Sequence, residues 1–241
     1  MKLLVIAAGY ATRLYPLTLD KPKALLPVGG RPMLDHVLGS LAGVGADTTY
    51  VVTNSKFAPH FRDWAAARPD VAVIDDGTTS DEDRLGAIGD IAFALDEVQI
   101  DDDLMVVAGD NLFSEDLADF GAFCREKNAP VLAVYDVGDL TEMTKYNAIE
   151  TDERGRITYF EEKPTNATST LTGIALYFYP RHVLPLIRQY IAEGNNPDQP
   201  GRLVQWLYPR GDVFTWSVPG EWYDIGSAET LRDADSRFSQ I

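Results

Sequence analysis

Arg13, Lys21, Lys23 and Arg31 crowd the start of an otherwise acidic chain. They follow Ala8-Gly9, where small side chains leave backbone N–H groups bare. Bare amides, a planar guanidinium and a mobile ammonium together suit a polyphosphate. The plainer reading of the same residues is a basic loop with scattered surface cations. Two carboxylates stand out later, Asp110 in Gly109-Asp110-Asn111 and Asp224 in Trp222-Tyr223-Asp224-Ile225-Gly226. Magnesium takes one or two carboxylates, phosphate oxygens and several waters, so this pair could hold it against a phosphate. Each also has an ordinary reading, Asp110 as a turn residue and Asp224 as a loop or helix-start residue. Glu161-Glu162-Lys163-Pro164 adds one more ammonium. By itself Lys163 reads as an exposed lysine at a strand end.

The hydrophobic pattern says what must carry these groups. Apolar, β-branched runs at 3–7, 48–53, 71–74, 104–108 and 131–135 predict strands. Helical spacing at 33–44, 55–67, 84–98 and 115–127 falls between them, with Ser55 a candidate cap for the second helix. Such alternation predicts an α/β fold, a Rossmann-like mixed, mostly parallel sheet with helices on both faces. After residue 136 the pattern turns β-rich. A hairpin is expected from 147–151 and 156–161, strands at 171–179 and 213–217, and helices at 181–192, 203–208 and, after the segment 222–226, at 228–238. Between the first strand and Met33 no hydrophobic period appears, and Pro16, Pro22, Pro27 and Pro32 punctuate the stretch. A long loop inside a compact domain tends to be functional. In open α/β sheets ligands sit beyond the carboxyl ends of the strands, where this loop, Asp75-Asp76, Asp110 and the segment holding Asp224 converge.

Composition narrows the classes. At 241 residues and 45% hydrophobic, the chain can bury a sizeable core. A net charge of -16 argues against non-specific nucleic-acid binding. No apolar run reaches membrane-span length, and the N-terminus does not read as a signal peptide. Cys124 is the single cysteine, which excludes an internal disulfide and fits a cytoplasmic protein. The surface charge comes from 25 Asp and 12 Glu against only 7 Lys, a balance expected of a salt-adapted source. An activity optimum at low salt would count against that reading. His36, His60 and His182 lack metal-ligand spacing and read as packing or surface residues.

The opening stretch, KLLVIAAGYATRLYPLTLDKPKALLPVGGRPM, resembles the N-terminal signature of the sugar-1-phosphate nucleotidylyltransferases. Gly9, Thr12, Arg13, Leu14, Pro16, Thr18, Pro22, Lys23, Pro27, Val28, Pro32 and Met33 all match. Val106-Val107-Ala108-Gly109-Asp110, Glu161-Glu162-Lys163-Pro164, Thr172-Gly173-Ile174 and Trp222-Tyr223-Asp224-Ile225-Gly226 are similar to later motifs of that family, so the resemblance covers nearly the whole chain. It departs at Ala8 and Ala11, where the family has glycine, and at Asn147, where Tyr-Gly is frequent after the position of Tyr146. Methyl groups at the two alanines could crowd the phosphates, and whether they alter the loop is left open.

The resemblance implies an enzyme that joins an NTP to a sugar 1-phosphate, releasing pyrophosphate, with Mg²⁺ as cofactor. It implies nucleotide contacts at Ala7, Ala8, Gly9, Arg13, Lys23 and Gly86. Sugar-phosphate contacts fall at Tyr146, Glu162, Lys163 and Gly173, and metal ligands at Asp110 and Asp224. Arg13, Lys23, Asp110 and Lys163 are the expected catalytic set. Residues 1–241 are expected to form one domain, with a nucleotide-binding half, 1–136, and a sugar-phosphate-binding half, 137–241. No appended β-helix is expected beyond Ile241, and a homo-oligomer is left open. Glucose 1-phosphate with dTTP or UTP is the first expectation. Yet the stretch where thymidine-type members carry a base-reading glutamine is Arg84-Leu85-Gly86-Ala87-Ile88 here. Two alternatives stand beside this reading. One is a metal-dependent glycosyltransferase using Asp75-Asp76, and the other is an inactive homologue that binds nucleotide-sugar.

Overall fold

Leu3, Leu4 and Val5 are buried on both faces of β1 (Lys2–Ile6), as a continuous apolar run predicts for the middle of a parallel sheet. Leu3 and Val5 join one hydrophobic core, and Leu4 joins a second on the opposite face. The computed structural model describes residues 1–239. After β1 come β2 (Pro27–Val28), β3 (Arg31–Pro32), α1 (Met33–Ser40), β4 (Thr48–Thr53), α2 (Ala58–Ala65) and β5 (Val71–Asp75). They are followed by α3 (Ala87–Glu97), β6 (Leu104–Ala108), β7 (Asn111–Phe113), α4 (Ala118–Lys127) and β8 (Val131–Asp136). The remainder comprises β9 (Asn147–Thr151), β10 (Ile157–Glu162), β11 (Leu171–Tyr179), α5 (Leu184–Ala192), α6 (Gly201–Leu207), β12 (Phe214–Ser217), β13 (Trp222–Asp224) and α7 (Ala228–Phe238).

Seven strands form the central sheet in the order β12-β8-β11-β6-β1-β4-β5. All neighbouring pairs are parallel except those made by β11, which runs against both β6 and β8. Helices cover both faces, as expected. Met33, Phe61, Phe120 and Phe238 of α1, α2, α4 and α7 pack into one core, while Ile91, Ile187 and Leu203 of α3, α5 and α6 pack into the other. Each large side chain so buried contributes on the order of 1.5–3 kcal/mol. Cys124 lies inside the first core as a packing residue.

Local chemistry shifts several boundaries. α3 begins at Ala87, not at 84, because Gly86 adopts φ 79° and breaks the helical path before it. Ser55 does not cap α2; its hydroxyl donates to Asp75 at 2.6 Å, and Asn54 Oδ1 takes the Phe57 N–H at 3.0 Å instead. α4 starts at Ala118, whose N–H is held by Asp116 Oδ1 at 2.7 Å. The three-residue β7 gave no periodic signal, yet it matters most for the site. It pairs antiparallel with β13 in a register that sets Asp224 opposite Asn111. A Ser227–Thr230 capping box then starts α7, which lies across the β2–β3 hairpin, where Asp235 Oδ1 accepts the Gly29 N–H at 2.8 Å.

Candidate active site

A cleft of about 680 Å³ opens beyond the carboxyl ends of β1 and β6 and the start of β11. It lies where the topology rule for open α/β sheets places a ligand. Ala7, Ala8 and Gly9 form its floor on the β1 side. Their backbone is fixed from β4: the Ala8 carbonyl accepts from Asn54 Nδ2 at 2.8 Å, and the Ala7 carbonyl from the Thr53 hydroxyl at 3.2 Å. A side chain built at Gly9 would meet nothing, so open space lies beside that amide. Leu14, Leu25 and Leu26 anchor the following loop in the core. Thr18 closes it by donating to the Ala11 carbonyl at 2.8 Å. Ala8 is buried in the wall, whereas Ala11 sits at φ 49°, a left-handed conformation that favours glycine.

Arg13 reaches the cleft from this loop, and among the described residues it has no salt-bridge partner. Lys23 also lines the cleft, paired with Asp110 at the end of β6. Burial alone would push the Asp110 carboxyl up, but the charge and hydrogen bond of Lys23 override it and hold the group below the usual carboxylate range. Asp224 arrives on β13 beside Asn111, and Ile225 N–H donates to the Asp110 carbonyl at 3.3 Å. Asp224 is exposed by surface area, yet its carboxyl is pushed up, first by desolvation from the surrounding cleft walls and then by the negative charge of Asp110, against the pull of Lys23 and Arg13. Two carboxylates that repel one another across a cleft fit a dication, which would relieve both. Among the described residues no group of three or more His, Cys, Asp or Glu could hold a metal, so a cation held by this pair would complete its shell with water or phosphate oxygens.

The far end of the cleft is built by β9, β10 and β11. Tyr146, Asn147, Glu162 and Gly173 line it. The Asn147 side chain clamps Gly173, accepting its N–H at 2.6 Å and donating to its carbonyl at 3.1 Å. That clamp lies where the pairing of β11 with β8 loses register. Glu162 Oε2 is buried without a partner, and burial raises its carboxyl despite Lys163 and Arg202. A Cβ on Gly201 would come within 2.4 Å of Glu162 Oε2, so that residue's lack of a side chain makes room for the carboxylate. Trp222 stacks edge-on against Tyr146 with centroids 5.7 Å apart, and its Nε1 donates to Asn111 at 2.7 Å.

Eleven of the twelve site residues expected from sequence therefore line one cleft: Ala7, Ala8, Gly9, Arg13, Lys23, Gly86, Asp110, Tyr146, Glu162, Gly173 and Asp224. Lys163 does not. It is exposed at the end of β10 with φ 51°, tied by its own N–H to the Tyr146 carbonyl at 2.8 Å. Asp75 and Asp76 stand outside the lining as well. Tyr10, Asp90 and Lys145 carry no role in the sequence reading, and Asn147 enters it only as a departure from the family pattern, yet all four line the cleft, as does Trp222. One of them had a visible signal: Asp90 is a charged residue inside the apolar stripe of α3.

The nucleotidyl transferase family model matches residues 2–240. A protein from Haloferax volcanii named UTP–glucose-1-phosphate uridylyltransferase is 33% identical over 246 residues, spanning 100% of this chain and 97% of its own length. One from Sulfolobus acidocaldarius, named for mannose-1-phosphate guanyltransferase, is 34% identical over 228 residues, 92% of this chain but only 59% of the relative. The chain thus spans little more than half of some relatives it matches. The crystal structure of UDP-glucose pyrophosphorylase complexed with UDP-glucose superposes with a TM-score of 0.82 at 21% identity, covering 99% of this chain and 98% of that one. At that identity the likeness establishes the fold. Among the described residues no helix is long and apolar enough to cross a membrane.

Proposed function

Since the chain belongs to the nucleotidyl transferase family, we propose that it transfers a nucleotidyl group from an NTP to a sugar 1-phosphate, most readily UTP or dTTP to glucose 1-phosphate. The observation that carries this is one cleft joining Arg13 and Lys23 to the carboxylates of Asp110 and Asp224, with Glu162 and Gly173 at its other end. The Haloferax volcanii relative, matched end to end and named for UTP and glucose 1-phosphate, supports the choice of substrates.

The attacking group is an oxygen of the sugar phosphate. It is already anionic near neutral pH, its second pKa being about 6, so no general base is needed. It forms a bond to the α-phosphorus of the NTP while the bond from that phosphorus to the bridging oxygen breaks, and pyrophosphate leaves. The obstacle is the approach of two polyanions, which positioning and charge neutralisation overcome. The amides of Ala8 and Gly9 and the Arg13 guanidinium receive the triphosphate, and Lys23 holds its terminal phosphates. Glu162 orients the sugar, and Lys163 moves in from the rim to meet the sugar phosphate. Asp110 and Asp224 are the residues that would hold Mg²⁺, which when bound neutralises phosphate charge. Residues 1–136 thus serve the nucleotide and 137–241 chiefly the sugar phosphate.

The test is pyrophosphate release over a grid of NTPs and sugar 1-phosphates with Mg²⁺. Release with UTP or dTTP and glucose 1-phosphate is expected. Sugar transfer from a nucleotide-sugar without pyrophosphate would favour a glycosyltransferase instead. The position of Asp75, bound to Ser55 and outside the cleft, speaks against that reading.

A further inference from the structure

Asp90 has no part in the scheme above, yet it lines the cleft. It stands in the first turns of α3, whose packing against β1 and β4 sets its N-terminus beside the phosphate-binding loop. The residue is only 4% exposed. Beneath it lies Asp76, 7% exposed, whose Oδ1 is taken by the N–H and hydroxyl of Thr78, both at 2.7 Å. Asp76 Oδ2 and Asp90 Oδ1 are both fully buried without a donor, and the two side chains are in hydrogen-bonding reach of each other. One proton held between them satisfies both. Burial, then the charge and hydrogen bond of Asp76, push Asp90 up to about 8, so near neutral pH it keeps that proton. Asp90 Oδ2 takes no hydrogen bond from the described residues and is left as a carbonyl-like acceptor for the cleft.

The surroundings do not favour phosphate as its ligand. Asp81, Arg84 and Asp198 line the same end, and the Arg84 guanidinium is already paired with both carboxylates, at 3.0 and 3.2 Å. A neutral group with an N–H donor fits, and the nucleobase of an NTP anchored at Ala8-Gly9 is such a group. Beside Asp90, Gly86 lines the cleft, and its N–H has no partner among the described residues. The amides of Ala87 and Ile88 are already taken by the carbonyls of Asp198 and Pro197, at 3.4 and 2.8 Å. One free acceptor next to one free donor matches an imide edge, an N–H flanked by carbonyls. Cytosine and adenine put a ring-nitrogen lone pair where the N–H should be. Guanine offers two adjacent donors, but the second Asp90 oxygen is committed to Asp76.

We propose that Asp90 is the base-reading residue of this chain, accepting the N3–H of uracil or thymine at Oδ2 while Gly86 N–H meets a flanking carbonyl. This rests on the nucleotidyl-transfer reading above.

The test measures pyrophosphate release and nucleotide binding with UTP, CTP and N3-methyl-UTP, using glucose 1-phosphate and Mg²⁺. The unmodified protein should reject CTP and N3-methyl-UTP relative to UTP. Asp90→Ala should lower the UTP-to-CTP preference on the order of 10–100-fold, chiefly through KM. Asp90→Asn keeps a carbonyl acceptor and should retain the preference. A merely structural Asp90 would instead weaken all nucleotides alike. Unchanged preference in Asp90→Ala would overturn the proposal. So would equal use of UTP and N3-methyl-UTP by the unmodified protein, a comparison that needs no variant to fold. Absence of turnover with every NTP and sugar 1-phosphate would instead sink the nucleotidyl-transfer reading, and this inference with it.

Discussion

Lys23 and Asp110, 87 residues apart in sequence, form an ion pair on the cleft wall. A cation assigned to phosphate and a carboxylate assigned to metal thus hold each other in place. Substrate phosphates and Mg²⁺ would replace that one contact with two charge-matched ones. Asp110→Asn keeps the shape and removes the charge. Turnover should fall on the order of a thousandfold or more, an effect on the scale of losing a principal electrostatic group. The thermal unfolding midpoint should move little, because the side chain is part-exposed and Asn can still meet Asn111. Near-normal pyrophosphate release by a folded Asp110→Asn protein would exclude Asp110 as the metal carboxylate.

Ala11 carries a different burden. Its φ of 49° places a methyl group in the left-handed region, which costs roughly 1–2 kcal/mol for an L-residue. Glycine would remove that strain but add freedom to the unfolded chain, which opposes it by about 0.4–1 kcal/mol. Ala11→Gly should therefore stabilise the protein slightly, by about 0.5–1 kcal/mol. Denaturant unfolding checks this; a loss of stability would mean the methyl group contributes packing that outweighs the strain.

The strand ends that carry Ala8-Gly9 and Asp110 were legible because continuous apolar runs such as 104–108 end abruptly in Gly and Asp. Asp224 was legible only through its motif. What brings it to Asp110 is the pairing of β13 with β7, two three-residue strands too short to show any period. Lys163 lies outside the cleft lining, because sequence gives adjacency to Glu162 but not the left-handed backbone at Lys163 that follows it. Asp90 escaped, and the clamp of Asn147 on Gly173 was not foreseen, because both depend on partners, Asp76 and Gly173, that are neighbours only in the folded chain.

Gly201 tests the sugar end without replacing a charged residue. Its missing side chain leaves the room occupied by Glu162 Oε2, 2.4 Å from where a Cβ would stand. The nearest obstructing atom is the tip of a flexible side chain, and the ring of Phe160, its Cζ 3.1 Å away, need give only by a few tenths of an ångström, so Gly201→Ala should fold and displace the carboxylate. KM for glucose 1-phosphate should rise about tenfold, the worth of about one hydrogen bond, with KM for the NTP unchanged. Equal changes in both would mean Glu162 does not orient the sugar.

Lys163 is exposed, so it has no evident structural duty beyond its backbone bond to Tyr146. Lys163→Ala should therefore keep the unfolding midpoint while turnover is all but abolished, down on the order of a hundredfold or more. Lys163→Arg preserves the charge and should restore part of it. If Lys163→Ala turned over normally, another cleft cation would have to meet the sugar phosphate, and Lys145, which lines the cleft beside Tyr146, is a candidate.

Asp90 gives the fold a pH dependence whose sign can be worked out. Its carboxyl is raised from 3.8 to about 8 by burial and then by Asp76. Between those two values the folded protein keeps a proton that the unfolded chain has released. Stability from this group is therefore fully present below about pH 4, is lost as pH rises toward about 8, and stays flat above that. Asp90→Asn cannot ionise and still offers its amide N–H to Asp76, so it should lack this slope. The stability of Asp90→Asn relative to the unmodified protein should then climb between pH 4 and pH 8, by on the order of a few kcal/mol. Carboxylates held low elsewhere, such as Asp47 beside Lys2, act in the opposite sense but are common to both proteins and cancel in the difference. Denaturant unfolding of the two proteins across that range decides the matter. Parallel curves would show that the proton is not held at Asp90, and the acceptor that faces the cleft would then be a full carboxylate.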